Sequence, residues 1–184
     1  MQLAEILKLK LNIADTKDMQ AFADTCYQYM LACNAVSRYV FDHDFYVNSV
    51  GLSKVLYSTL REEFGLKSQM AQSAIRTVTA RYQTVDTQLK SKPVKFQCDG
   101  VWYQQYRDIR HLQKPISFHR PQADLVRNRD YSFVQGMQKI SINTISGRVV
   151  CAFAVPAYMQ KFLDKHKKNP VCDEMMDFFF KVRH

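Results

Sequence analysis

The stretch Tyr131-Ser132-Phe133-Val134-Gln135-Gly136-Met137-Gln138-Lys139-Ile140-Ser141-Ile142-Asn143-Thr144-Ile145-Ser146-Gly147-Arg148-Val149 decides how the chain is read. Short apolar or alternating runs at Tyr131–Val134, Lys139–Ile142 and Gly147–Phe153 are cut by the turn pairs Gln135-Gly136 and Ser146-Gly147. Period-two runs bounded by glycine predict strands. No helix-length pattern lies between them, which disfavours parallel βαβ winding. Upstream, the same grammar begins at Lys90. Runs at Val94–Phe96, Val101–Tyr103, Ile116–Phe118 and Leu125–Val126 are separated by Asp99-Gly100, Pro115, Pro121 and Asn128-Arg129-Asp130. Strands this short, with turn signals this frequent, predict a small antiparallel barrel or a strongly bent sheet.

Before Lys90 the period is helical. Met19, Phe22, Ala23, Cys26, Met30, Cys33, Val36 and Val40 recur every three or four residues, one apolar stripe of a long helix with Thr16 as its N-cap. Cys26 and Cys33 fall on that stripe and read as core residues. After a loop at Asp42–Asn48, Ser53 is expected to cap a second helix bearing Val55, Leu56, Leu60 and Phe64, with Gly65 at its C-terminal end. Ser68 is expected to cap a third, with Ala71, Ala74, Ile75, Val78 and Tyr82 on one face and Gln69, Gln72, Ser73, Arg76 and Thr77 on the other. Ahead of all three, leucines and lysines alternate from Leu7 to Leu11, the pattern of a half-buried strand.

The fold class expected is therefore α+β: a first barrel strand in 1–14, an inserted helical unit in 15–89, the remaining barrel strands in 90–156 and a tail in 157–184. The tail is read as a basic helix over Ala157–Lys168, broken by Pro170. An apolar segment, Asp173–Val182, follows; it is read as a core helix that this domain or another must cover.

Composition narrows the function. The 184 residues are 47% hydrophobic and 23% charged, ordinary for a globular chain. No 18-residue apolar run predicts a membrane span, and Met1–Glu5 does not open a secretory signal. The five cysteines include no CxxC pair, and no Cys/His cluster or phosphate-binding glycine loop appears, so no disulfide framework, metal or cofactor is expected. A reducing, cytoplasmic setting follows as the expectation.

Lys plus Arg number 26 against 17 Asp plus Glu, a net +9. Eleven basic and four acidic residues lie between Lys90 and Arg148, a net +7, so the β portion carries most of the excess. Trp102, Tyr103, Tyr106, Phe118 and Tyr131 are interleaved with those cations. Cations that neutralise phosphate beside aromatic faces that stack on bases point to RNA or single strands.

Three segments, Ile116–Pro121, Leu125–Phe133 and Ile140–Val149, resemble one stretch of the TnpB proteins. These are transposon-encoded RNA-guided nucleases related to type V CRISPR effectors. Leu56–Phe64 and Lys67–Arg76 are similar to the family's helical segment, and the resemblance spans roughly residues 3–155. It implies a wedge domain, formed by the first and later strands, that grips guide RNA. It also implies an inserted recognition domain of helices that contacts target DNA and the guide–target heteroduplex, while base pairing selects sequence. A prokaryotic or phage-like context goes with it.

On that likeness Gln72 is the leading DNA-contacting residue, because a Gln amide can bond adenine bidentately. Ser68, Ser73 and Arg76 stand beside it on the third helix, with Ser53, Lys54 and Tyr57 on the second. For guide RNA the resemblance points to Arg120, Arg127, Arg129, Tyr131 and Arg148.

The family's RuvC-like nuclease carboxylates, which hold two metal ions, and its zinc ribbon are not found after Arg148. The chain is thus expected to bind without a catalytic centre of its own, as a fragment, a decayed copy, or a subunit of a separate nuclease chain. Two other classes stay open. A stand-alone nuclease would draw on Asp42, Asp44, Asp99, Asp108, Asp124 and Asp130; a Cys–His nucleophile would pair Cys98 or Cys151 with His111 or His119. An assembly protein would dock a larger subunit, or a second copy, through the apolar C-terminus.

Overall fold

The computed structural model describes residues 9–161, Asp164 and Asp177–Lys181. Strand β1 (Lys10–Asn12) comes first, followed by helices α1 (Thr16–Asp42), α2 (Ser49–Glu62) and α3 (Ser68–Ser91). Strands β2 (Val94–Cys98), β3 (Val101–Gln105), β4 (Gln122–Val126), β5 (Tyr131–Val134), β6 (Lys139–Thr144) and β7 (Gly147–Ala154) come next, and β8 (Asp177–Lys181) last. The fold is mixed, helices with antiparallel sheets.

Each helix's N-cap residue lies one to five residues before the expected one. Asp15, not Thr16, caps α1, its carboxylate accepting the Lys17 N–H at 2.8 Å. Asn48, not Ser53, caps α2 by accepting from the Val50 and Gly51 N–H groups. Lys67 precedes α3 without a side-chain cap, and Ser68 is already helical. Asn and Asp hold these ends because their short acceptors reach the orphan N–H groups of a first turn. Gly65, at φ +64°, takes the left-handed conformation that ends α2.

The stripes bury as expected over most of their length. Phe22, Cys26, Cys33, Val36 and Val40 of α1 meet Met70, Ala71, Ala74, Ile75, Val78 and Tyr82 of α3, whereas Met19, one turn from the end of α1, is 53% exposed. The same core continues into Leu125, Tyr131, Ile140 and Ile142, so helices and strands share one interior.

Four strands form one sheet in the order β1-β7-β6-β5, all neighbours antiparallel. Leu11 opposes Phe153, so the chain's first described strand closes onto β7 and the three helices fall between two strands of one sheet. Only Lys10–Asn12 of the expected first strand is ladder; Leu7 and Lys8 lie outside the described residues. β2 and β3 form a separate hairpin, and β4 pairs with β8.

Among the described residues these sheets do not close into a barrel. One reason is Ile116–Phe118, expected as a strand. It joins no ladder; helix side chains hold it instead. Asn34 accepts the Phe118 N–H at 2.8 Å and donates to its carbonyl at 3.0 Å, while Ser37 donates to the Ile116 carbonyl at 2.6 Å. Backbone groups drawn out of water must find partners, and for this half-buried segment two side chains of α1 supply them.

The tail also departs from expectation. A 3-10 turn at Ala157–Met159 runs into helical residues at Gln160, and half of the expected basic helix lies outside the described residues. Asp177–Lys181 is a strand, not a helix; the rest of Asp173–Val182 lies outside the described residues. Three consecutive phenylalanines favour extended backbone, and the open edge of β4 offers unpaired N–H and C=O groups that a strand satisfies.

Candidate nucleic-acid interface

The polar face of α3 begins at its first turn and faces the middle of α2, from Ser53 to Tyr57. Tyr57 Oη donates to Ser68 Oγ at 2.8 Å, and Gln72 Nε2 donates to Ser53 Oγ at 2.7 Å. Four of the seven expected DNA-contacting residues therefore form two cross-helix pairs. The Arg61 guanidinium lies 5.8 Å from the Tyr57 ring centroid. The hydrogen bond with Ser68, aided by Arg61, holds the Tyr57 phenol below its ordinary pKa. Lys54 is exposed beside this seam. Gln72 is half-buried and its amide N–H already has a partner. Bidentate bonding to adenine would require it to exchange Ser53 for the base edge.

Ser73 does not belong to the exposed face. It is fully buried and donates to Asp124 Oδ2 of β4 at 3.0 Å, while Arg76 Nη2 reaches its hydroxyl at 3.3 Å. Ser73 is therefore a structural bridge between α3 and β4. The sequence placed it on a polar arc because a small hydroxyl looks the same whether it meets water or a buried carboxylate. Arg76 stays exposed above it.

The four arginines expected at RNA separate into three groups. Arg129 and Arg148 come together. Arg129 stands in the β4–β5 turn, and its carbonyl accepts from Asn143 Nδ2 at 3.0 Å. Arg148 Nε donates to Asn143 Oδ1 at 3.0 Å. Arg129 Nη1 then reaches Gln69 Oε1 of α3 at 3.1 Å. Arg120 is exposed but precedes β4, at the opposite end of that strand from Arg127, roughly 20 Å away at strand rise. Arg127 is half-buried, its guanidinium 5.5 Å from the Phe133 ring centroid.

Tyr131 is a correction. It is 0% exposed and belongs to the core, so its ring has no face to offer a base. Period two in β5 places it opposite Ile142 on the inward side.

Two carboxylates, Asp124 and Asp130, lie near Arg76 and Arg129. Asp130 is buried and accepts the Val126 N–H at 2.9 Å. Burial raises its pKa above the ordinary 3.8; the Val126 bond opposes this, nearby Asp124 adds to it, and Arg76 and Arg129 pull it back. Arg76 and Arg129 thus lie close enough to this buried carboxyl to feel it, and it offsets part of their field.

Asn143 is not among the residues expected from sequence, although a signal for it exists. Counting outward from the two-residue loop Ile145-Ser146 pairs Thr144 with Gly147 and Asn143 with Arg148. The helical period puts Gln69 on the polar face, but its bond to Arg129 is a contact that no local pattern encodes.

The other chemistries read from sequence are dispersed. Asp99-Gly100 and Asn128 take left-handed turn conformations, and Asp108 caps a short helical turn together with His111. Cys26 is buried and its thiol is pushed up to about 12; Cys33 is raised further, also by burial. Cys151 is buried and raised for the same reason, and Cys98 is exposed at the end of β2. Among the described residues no group of three or more His, Cys, Asp or Glu is placed to hold a metal ion, and no helix is long and apolar enough to cross a membrane.

No family model, curated protein or solved structure matches the chain.

Proposed function

We propose that the chain is a nucleic-acid-binding module of a TnpB-like RNA-guided system. In this reading its strands grip guide RNA as a wedge layer, and its inserted helices contact target DNA and the guide–target heteroduplex in the cytoplasm, in a prokaryotic or phage-like context. One observation carries the reading. The Arg129–Gln69 hydrogen bond joins the strand-turn arginines to the amide- and hydroxyl-bearing face of α3. Cations able to neutralise phosphate and groups able to address base edges therefore lie on one ridge, running from Arg148 through Asn143, Arg129 and Gln69 towards Gln72 and Ser53.

Phosphate contacts position a nucleic acid, and base-edge contacts discriminate. Arg129, Arg148 and Arg76 take the first role. Gln72, held against Ser53, takes the second. Pairing of β1 with β7 supports the wedge reading, since it inserts the helices between strands of one sheet.

The test is fluorescence anisotropy of a labelled structured RNA against the purified chain at low salt. Binding, with nucleic acid carried through purification, is expected; a chain that purifies free of nucleic acid and fails to bind at low salt overturns the reading. Gln72→Ala is expected to change preference among double-stranded DNA motifs by about tenfold while RNA affinity holds. Unchanged preference removes Gln72 from the role.

A further inference from the structure

Strands β2 and β3 make a two-stranded ribbon that leaves the C-terminal end of α3 and returns to it. Opposed pairs place Val94, Phe96, Cys98, Val101 and Tyr103 on one face, and Lys95, Gln97, Trp102 and Gln104 on the other. Every residue of both strands is exposed. Trp102 is 69% exposed, and the rings of Phe96 and Tyr103 stack at 5.6 Å in the open. An isolated two-stranded hairpin is marginal in water, and aromatic surface displayed on both faces marks a place of contact rather than a core.

The root of the ribbon is anchored. Asp86 of α3 accepts from Lys90 Nζ at 2.6 Å and from the Ile109 N–H at 3.2 Å. Beyond β3, Asp108 accepts the Arg110 N–H and bonds His111. Charge gathers along the same segment: six basic residues against two acidic between Lys90 and Lys114. Lys92, Lys95 and Arg107 make no ion pair among the described residues. Lys92 and Arg107 flank an open depression of about 340 Å³, floored by Val85 and Leu89.

We propose that this ribbon is a stacking arm for single-stranded nucleic acid. Trp102 takes a base on its indole face. Lys95, diagonal to it on the same face and about 7–8 Å away between backbones, neutralises the linked phosphate. Lys92 and Arg107 carry the strand on towards the root. An acidic protein would match the lysines and leave the rings unmatched, and a duplex keeps its base faces stacked inside. Unpaired bases on a phosphate chain match both. The proposal rests on the nucleic-acid reading for the class of partner, but it adds a second surface, on another element, for another strand state.

Trp102 is the one tryptophan of the chain, so its emission reports the arm alone. The experiment titrates the full chain with oligouridylate, oligothymidylate and a blunt RNA duplex, following Trp102 emission and the anisotropy of the labelled nucleic acid together. Single strands are expected to quench Trp102. Trp102→Ala and Lys95→Ala are expected to weaken single-strand binding about tenfold, with duplex binding and thermal unfolding unchanged. Quenching by one sugar type or by both supports the arm and identifies its strand.

Strands that bind by anisotropy while Trp102 emission stays fixed overturn the arm and leave the α3 ridge standing. Absence of any binding at low salt overturns both. Concentration-dependent self-association that Trp102→Ala abolishes, without quenching, assigns the ribbon to a second copy and overturns the proposal.

Discussion

The α3–β4 junction and the β2–β3 ribbon are built on opposite principles. At the junction Ser73, Gln69, Gln72 and Arg129 each meet another side chain. In the ribbon Lys95, Trp102 and Gln104 stand in solvent. A ligand at the junction must exchange existing hydrogen bonds, so a mismatched partner leaves polar groups unsatisfied. Such a surface discriminates. A ligand at the ribbon replaces only water. Such a surface adds affinity with little selectivity.

Stability measurements separate the two regions most widely. Tyr82 is fully buried, and its hydroxyl donates to the Ser37 carbonyl at 3.1 Å and meets the Ile116 N–H at 3.4 Å. Tyr82→Ala is expected to cost about 3–5 kcal/mol in denaturant unfolding. Trp102→Ala is expected to change stability by no more than about 0.5 kcal/mol. Equal losses at the two sites would erase the distinction between the packed body that carries the junction and the projecting arm.

Much of this contrast is written in the sequence. Strands β2, β3, β5, β6 and β7 fall where alternation and turn glycines place them, because both signals are local. The faces of α1 and α3 are legible for the same reason: the apolar stripe is local and repeated. What was not legible depends on partners distant along the chain. Ser73 looks solvent-facing until Asp124 is brought to it. Tyr131 looks like a stacking ring until its strand is paired and its inward side fixed. Ile116–Phe118 looks like a strand until Asn34 and Ser37 satisfy its backbone from a helix. Asp177–Lys181 looks helical until β4 presents an edge.

Ser73→Ala tests the junction at the next level. It removes a donor from Asp124 and is expected to cost about 1–3 kcal/mol, read from thermal or urea unfolding. A loss near zero would show that the Ser73–Asp124 bond contributes little to holding β4 on α3.

Asp130 gives a smaller, pH-dependent effect. Its folded pKa lies above the ordinary 3.8, with burial the first cause, so the folded chain holds this proton more tightly than the unfolded chain. Its contribution to stability is full below 3.8 and is lost as pH rises through the raised folded value. Asp130→Asn keeps an acceptor for the Val126 N–H and removes the charge. The variant is expected to flatten that part of the stability–pH curve and to unfold at neutral pH at or above the wild-type temperature. A marked fall at neutral pH would mean that pairing with Arg76 and Arg129 outweighs burial.

The ridge itself is tested most directly by the salt dependence of RNA binding in the wild-type chain and in the Arg129→Ala, Arg148→Ala double variant. Each lost phosphate contact removes roughly 0.7–0.9 from the slope of log affinity against log salt. A slope shallower by about 1.4–1.8, with weaker binding at every salt concentration, is the predicted result. An identical slope in both proteins, or no RNA binding by either at low salt, would contradict the assignment of that surface to nucleic acid.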